Sequence, residues 1–152
     1  MYVCVKGGTK KIRETLEFAA YWSANQLMHR NLTRHLIVNI VYGKMEQEVA
    51  GDCDWEDDSV NPREFTIRIA SHQKLIEALE VLMHEMVHVR QWATGQMKER
   101  APKGHVMTFW NGQDMSNVPY EVQPWEIEAY SLMGPLLSRY LAFIDRNNSI
   151  CN

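Results

Sequence analysis

The sequence lacks the features that define several large classes of protein. It has three cysteines among 152 residues, Cys4, Cys53 and Cys151, and an odd number at wide spacing is not the disulfide framework of a small secreted domain. No apolar run approaches the roughly 18 residues that span a bilayer, and the first eleven residues lack the order of a secretory signal. We therefore expect a cytoplasmic protein without a membrane partner.

An excess of one charge is also missing. The net charge is −3, so there is no overall basic excess of the kind that nucleic-acid binding requires. The acids are nevertheless unevenly spread, because residues 46–58, here called the acidic strip, contain no Lys or Arg. Its acids are Glu46, Glu48, Asp52, Asp54, Glu56, Asp57 and Asp58. We interpret the strip as a solvated loop, with a basic substrate, a second cation or an inhibitory role as alternatives.

The residues that are present suit one globular domain over residues 1–152, with 45% apolar residues. Apolar spacing predicts a first helix at 10–29, capped by Thr9, and strands at 35–42 and 64–70. Residues 45–50 are predicted to pair with the first strand, and 51–59 to protrude as a loop. A long helix is predicted from Ser71, as its cap, to Thr94, ended by Gly95.

The second half of the chain is predicted to hold another short strand and a last helix. Residues 98–103 read as a basic connection, and 105–110 as an aromatic strand or turn that ends at Asn111 and Gly112. The last helix is predicted from Pro124 to about Ile144, with a kink or break at Gly134-Pro135. The pattern indicates an α+β fold with a small mixed or antiparallel sheet.

The central motif is His84-Glu85-Met86-Val87-His88. Residues four apart lie on the same face of a helix, so both imidazoles can reach one cation. Glu85 is one position further round, close enough to take a proton from a metal-bound water without being a ligand itself. The motif therefore predicts a zinc site with Glu85 as general base.

The motif resembles that of the zincin metallopeptidases. The metzincin branch is excluded, because its glycine and third histidine would fall at Gln91 and Thr94. Similarity to a minimal gluzincin implies a zincin-like domain in which a C-terminal helix supplies the third ligand. In that family a glutamate is followed by a small residue three positions later, and Glu126 with Ala129 matches. Glu128 is an alternative ligand, although it points about 200° away around the helix.

A second branch stays open. SprT-like proteases, which act on proteins crosslinked to DNA, take a third histidine from a Gly-His segment. Lys103-Gly104-His105 superficially matches that segment. This reading leaves the sequence from Pro124 to Ala129 unexplained. A zinc-binding regulatory module without turnover is the other alternative, and it gives no reason for Glu85.

The resemblance also implies further roles. A zinc metallopeptidase that acts on a peptide or protein substrate needs a donor for the oxyanion, and the candidates are Tyr120, Tyr130, His105 and Arg139, of which we select Tyr130. Thermolysin-like enzymes often have an aspartate where this chain has Tyr130, so a ligand histidine must be oriented by that hydroxyl or from elsewhere.

Zincins similar to this one bind the substrate backbone as an added strand on the sheet edge above the active helix. Residues 65–70, directly before the long helix, are the predicted edge. The tryptophans Trp92, Trp110 and Trp125 are expected to pack as core around the two helices. We expect a monomer that does not bind nucleic acid.

Overall fold

The structure is a computed structural model that describes residues 1–46, 48–101 and 104–150, with no description of the side chains of 148–150. Lys103 and Cys151, which enter the predictions above, lie outside the described residues. The elements along the chain are β1 (Tyr2–Lys6), α1 (Lys10–Leu27), α2 (Arg30–Thr33), β2 (Ile37–Gly43), β3 (Gly51–Trp55), β4 (Glu64–Ala70), α3 (Leu75–Ala93), β5 (Met97–Arg100), β6 (Met107–Trp110), β7 (Gln113–Asp114), a 3₁₀ helix (Tyr120–Val122) and α4 (Pro124–Ile150).

Two sheets are present. The larger has the order β1-β2-β4-β3, in which β1, β2 and β4 are parallel and β3 is an antiparallel edge strand. The smaller sheet, β5-β6-β7, is antiparallel. The predicted α+β class with a small mixed sheet is therefore confirmed. Among the described residues, no helix combines the length and apolar character needed to cross a bilayer.

The core lies between the larger sheet and the helices. Alternate residues of the two central strands, Val38, Ile40, Phe65, Ile67 and Ile69, are fully buried, as expected for strands that bury one face. Helix α3 lies between α1 and α4 and also contacts β3 and β4. Its middle is buried almost all round, which is why its periodicity is less clear than that of a surface helix.

The prediction for residues 45–59 is wrong in two respects. The described residues among 45–50 do not form a strand beside β2, and 51–55, predicted to protrude as a loop, form β3 beside β4. Opposite Arg68 on β4 stands Asp52, and Arg68 forms ion pairs with both Asp52 and Asp54. This pairing explains how acidic residues stay in a sheet. The predicted substrate edge at 65–70 is also wrong, because β4 is an interior strand between β2 and β3.

Several helix ends differ from the predictions. Thr9 does cap α1, accepting a hydrogen bond from Ile12 N, but α1 ends at Leu27. Ser71 does not cap α3: the helix begins after Lys74, whose backbone N–H donates to Glu77. Gly95 does follow α3, with φ of +73°.

The later elements also require corrections. Helix α4 continues through Gly134-Pro135 to Ile150 without a break. Residues 97–100 form β5 where a basic connection was predicted, and residues 2–6 form β1, which was not predicted at all. β5 is short and polar after Met97, so its sequence gives little β signal. β1 is only five residues long, although Tyr2, Val3 and Val5 favour a strand. The aromatic strand is confirmed as β6, and Asn111 and Gly112 have positive φ in the turn after it.

Asp57 fixes the connection between β3 and β4. Its carboxylate accepts hydrogen bonds from the backbone N–H groups of Ser59, Arg63 and Glu64 at 3.0, 2.7 and 2.8 Å. Burial opposes ionisation, but these bonds and that of the Ser59 side chain outweigh it and lower the pKa of Asp57 to about 2. The charged form is therefore the one that holds the connection.

We predict that Asp57→Ala lowers the free energy of unfolding by about 1–3 kcal/mol at pH 7, because charge-assisted bonds are lost. Since the pKa is lower in the folded state than in the unfolded state, this stabilisation is present above about pH 5 and lost towards pH 2. Urea unfolding at several pH values measures it, with Asp58→Ala as the matched control. An effect of Asp57→Ala that is small, or equal at pH 7 and pH 2.5, would contradict the prediction.

Candidate metal centre and its cleft

Two helices bring three side chains to one point. His84 and His88 lie one turn apart on α3, and Glu126 comes from the first turn of α4. The Nε2 atoms of His84 and His88 are 3.0 Å apart. The Glu126 oxygens lie 3.3 Å from His84 Nε2 and 3.4 Å from His88 Nε2. Among the described residues, this is the group of histidine and acidic side chains that could hold a metal ion.

The spacing of these atoms fits a tetrahedral ion. Zinc bonds of about 2.0–2.1 Å to nitrogen and oxygen place neighbouring ligand atoms roughly 3.3–3.4 Å apart. The three observed separations of 3.0, 3.3 and 3.4 Å lie close to that value. The side chains of His84, His88 and Glu126 are only 12%, 11% and 14% exposed. Three electron-pair donors that converge in a poorly hydrated place suit a divalent cation.

The charges of the centre are coupled. Burial opposes ionisation of Glu126, but its contacts with His84 and His88 outweigh burial and lower the pKa of the carboxyl to about 2. Burial likewise opposes protonation of His88, but Glu126 and Glu85 outweigh it and raise the pKa of this imidazole. The protein thus keeps negative charge at Glu126 over the whole physiological pH range.

Glu85 is in a different environment from Glu126. It is only 6% exposed, and burial raises its pKa to about 7 although both histidines oppose the shift. Gly51 on β3 lies next to the Glu85 carboxylate. A Cβ added to Gly51 would lie 2.4 Å from Val81 Cγ1, 2.9 Å from the Arg68 carbonyl oxygen and 3.4 Å from Glu85 Oε1. Only glycine therefore lets the edge strand approach the helix beside Glu85.

Gln91 fixes the tautomer of His88. The Nε2 amide group of Gln91 donates to the Trp125 carbonyl oxygen at 3.0 Å and to Glu128 at 2.9 Å. Both amide hydrogens are then used, so Oε1, 2.8 Å from His88 Nδ1, must accept. His88 therefore carries its proton on Nδ1 and presents a lone pair at Nε2. Nδ1 of His84 is buried without a hydrogen-bond partner among the described residues.

Glu128, the alternative ligand, is not part of the group formed by His84, His88 and Glu126. It instead holds Gln91 in place. Its carboxylate forms an ion pair with Arg90 and accepts hydrogen bonds from Gln91 and Gln96. These contacts lower its pKa against the effect of burial. Orientation of His88, which the sequence left to Tyr130 or to elsewhere, thus comes from Gln91 backed by Glu128. Sequence reasoning noted Gln91 only as a departure from the metzincin pattern.

A cleft runs over the centre, bordered by β3. One half, about 390 Å³, is lined by residues 48–51, by Glu80 and Val81, and by Tyr130 and Met133. The other half, about 320 Å³, is lined by Trp55, Trp92 and Trp125 together with Met97 and Glu99. Four residues line both halves: Gly51, His84, Glu85 and Tyr120. The candidate centre is therefore at the middle of the cleft.

The four candidate oxyanion donors are in different places. The Tyr130 ring is 4.6 Å from the His84 ring, and the Tyr120 hydroxyl lies 3.3 Å from Glu126 Oε2. Both tyrosines line the cleft and are more than half exposed. His105 is exposed and is not part of the three-residue group. Arg139 donates to Gln26 on α1, away from the cleft.

Comparison of the chain with protein-family models, with curated proteins and with solved structures found no match.

We predict that Gln91→Met weakens zinc binding roughly 10- to 100-fold, the usual effect of removing a hydrogen-bond partner of a ligand histidine. Competition with a chelator of known affinity measures the dissociation constant. Gln96→Met is the matched control, because Gln96 contacts Glu128 at 3.3 Å but does not contact His88. Wild-type affinity in a folded Gln91→Met protein, checked by circular dichroism without metal, would show that Gln91 does not orient the ligand.

Proposed function

We propose that this chain is a zinc-dependent metallopeptidase of minimal gluzincin type. His84, His88 and Glu126 would hold the ion, and Glu85 would act as general base on peptide or protein substrates. The observation that carries the proposal is the meeting of Glu126 with the two histidines, at distances that suit tetrahedral zinc, in the middle of a cleft.

The environments of the two glutamates favour different roles. Glu126 is kept ionised by the histidines, as a metal ligand must be. The pKa of Glu85, raised to about 7 by burial, suits a group that takes up and releases a proton near neutral pH. The two carboxylates beside the histidines are thus in different environments, Glu126 among its cationic partners and Glu85 buried next to β3.

When bound, the zinc ion would supply an acidified water and positive charge beside the substrate carbonyl oxygen. Glu85 would take the proton from that water on its carboxylate and transfer it to the leaving amine nitrogen. Gln91 would hold His88 with its Nε2 lone pair in place. The Tyr120 and Tyr130 hydroxyls, both at the cleft, would donate hydrogen bonds to the oxygen on which negative charge develops.

The substrate backbone is expected to lie along β3. This strand is at the edge of the sheet and borders both halves of the cleft. An edge strand has unpaired N–H and C=O groups, to which an extended peptide can add by backbone hydrogen bonds alone. The role proposed from the sequence for residues 65–70 is thus transferred to residues 51–55.

The first test is the metal content of the purified protein, measured by plasma mass spectrometry after equilibration with zinc. We expect one zinc per chain in the wild type and in His105→Ala, and loss of most of it in His84→Ala, His88→Ala and Glu126→Gln. Glu121→Gln, the same substitution at an exposed glutamate on the 3₁₀ helix, is the control. Loss of zinc with His105→Ala, and retention with Glu126→Gln, would favour the SprT-like alternative instead.

The second test separates catalysis from metal binding. We predict that Glu85→Gln keeps its zinc but hydrolyses fluorescein-labelled casein at least about 100-fold more slowly than wild type, the usual size of a general-base contribution. Fluorescence release measures the rate, with Glu121→Gln, an exposed glutamate that does not line the cleft, as control. Full activity of zinc-loaded Glu85→Gln would refute the mechanism, and a wild type that binds zinc without hydrolysing any peptide would indicate a regulatory module.

A further inference from the structure

The acidic and the basic side chains of β5 lie on opposite faces of the strand. Met97 and Glu99, two residues apart, both line the half of the cleft next to His88 and Glu126. Lys98 and Arg100 line a different pocket on the other side, where the Arg100 guanidinium lies 5.4 Å from the centre of the Phe109 ring. Because alternate side chains of a strand point to opposite faces, the acidic residue faces the cleft and the basic residues do not.

Three tryptophans line the same half of the cleft as Glu99. Trp55 is half-buried on β3, and Trp92 of α3 packs against it with ring centres 4.1 Å apart. Trp125, at the start of α4, lines the same half. Trp92 and Trp125, expected in the core from the sequence, are only 6% exposed, and both also line this half of the cleft. Because the Trp55 ring packs against Trp92 at an interplanar angle of 39°, its accessible surface is held in one position.

The other carboxylates that line this half of the cleft already have a partner or a proposed role. Asp52 forms an ion pair with Arg68, Glu126 contacts both histidines, and Glu85 is the proposed base. Glu99 remains, and no Lys or Arg of the described residues forms an ion pair with it or lines this half. The cleft thus combines an aromatic wall with a carboxylate that has no cationic partner within the described part of the chain.

We propose that this half of the cleft, called the tryptophan subsite (Trp55, Trp92, Trp125 and Glu99), binds an arginine or lysine side chain of the peptide substrate. The inference rests on the proposed function and adds the substrate class. Indole faces attract guanidinium and ammonium groups, and a carboxylate gives the charge complementarity that a purely apolar side chain cannot use.

The direction of β3 places the basic residue on the N-terminal side of the scissile bond. The strand runs from Gly51, beside Glu85, to Trp55, beside Trp92. A peptide that adds antiparallel, the slightly more stable pairing, runs the opposite way. Its residues before the scissile bond then lie along Trp55 and its residues after the bond lie along the half bordered by Glu80 and Tyr130.

The experiment uses zinc-loaded wild-type protein and a set of alanine-based peptides that differ at one position. That position carries arginine, citrulline, which has nearly the same shape without the charge, or phenylalanine. Binding is measured by calorimetry, which requires no turnover, and cleavage sites are located by mass spectrometry. We expect the arginine peptide to bind roughly tenfold more tightly than the citrulline peptide, with a difference that shrinks as salt is raised, and cleavage on the C-terminal side of arginine.

The variants Glu99→Gln and Glu99→Lys test the assignment of the residue. Both are expected to keep full zinc content; Glu99→Gln should bind the arginine and citrulline peptides about equally, and Glu99→Lys should prefer citrulline. Glu121→Gln should keep the wild-type preference. Of these two glutamates, Glu99 lines the subsite and Glu121 does not. A general change of surface charge would affect both variants and cannot produce this pattern.

The two proposals fail separately. Binding that prefers arginine, depends on Glu99 and is followed by no hydrolysis would refute the peptidase proposal and leave the subsite standing. Hydrolysis with no preference between arginine and citrulline, or tighter binding of phenylalanine than of arginine, would overturn the subsite and leave the peptidase proposal standing. Cleavage on the N-terminal side of arginine would overturn the assigned direction.

Discussion

The whole site depends on the close packing of α4 against α3. Glu126 reaches the two histidines only because the first turn of α4 is held against α3, through the contacts of Arg90 and Gln91 with Glu128 and through two further features. Ala129, one turn after Glu126, is fully buried, so no side chain separates the helices. Gln91 on α3 donates to the carbonyl oxygen of Trp125, directly before Glu126. The same amide accepts from His88, and thus one side chain sets both the orientation of a proposed ligand and the position of the helix that supplies another.

The sequence was sufficient where chemistry follows from spacing along one element. His84 and His88 are four residues apart on a helix, so their convergence follows from helical geometry alone. Glu126 came from a family resemblance, and the structure brings it to the histidines. The α+β class followed from the strong strand at 64–70 and the long helix after it. The roles of Gln91 and Glu128 could not be predicted, because they depend on the rotation of α4 relative to α3, which no local pattern encodes.

The edge of the sheet was assigned wrongly for a physical reason. Residues 65–70 have the clear alternation of a half-buried strand, whereas Gly51 to Trp55 contain a glycine and two aspartates, which are disfavoured in strands. Their strand state comes from tertiary contacts: Arg68 pairs with Asp52 and Asp54, and Gly51 permits close approach to Val81 and Glu85. β5 was missed because a short polar strand depends on its neighbours, whereas β1 was missed although Tyr2, Val3 and Val5 favour a strand.

The acidic strip, taken from the sequence as a solvated loop, contains a strand with two different faces. Asp52 and Asp54 form ion pairs with Arg68, while Gly51, Cys53 and Trp55, together with Asp52, line the half of the cleft next to His88. Burial, followed by nearby carboxylates, raises the pKa of the Cys53 thiol well above its usual value, so at neutral pH this side chain adds no charge to the cleft. Asp52, Asp54 and Asp57 of the strip therefore stabilise the edge strand and its connection to β4, whereas Glu48 lines one half of the cleft and Glu99 of β5 supplies the carboxylate of the proposed tryptophan subsite.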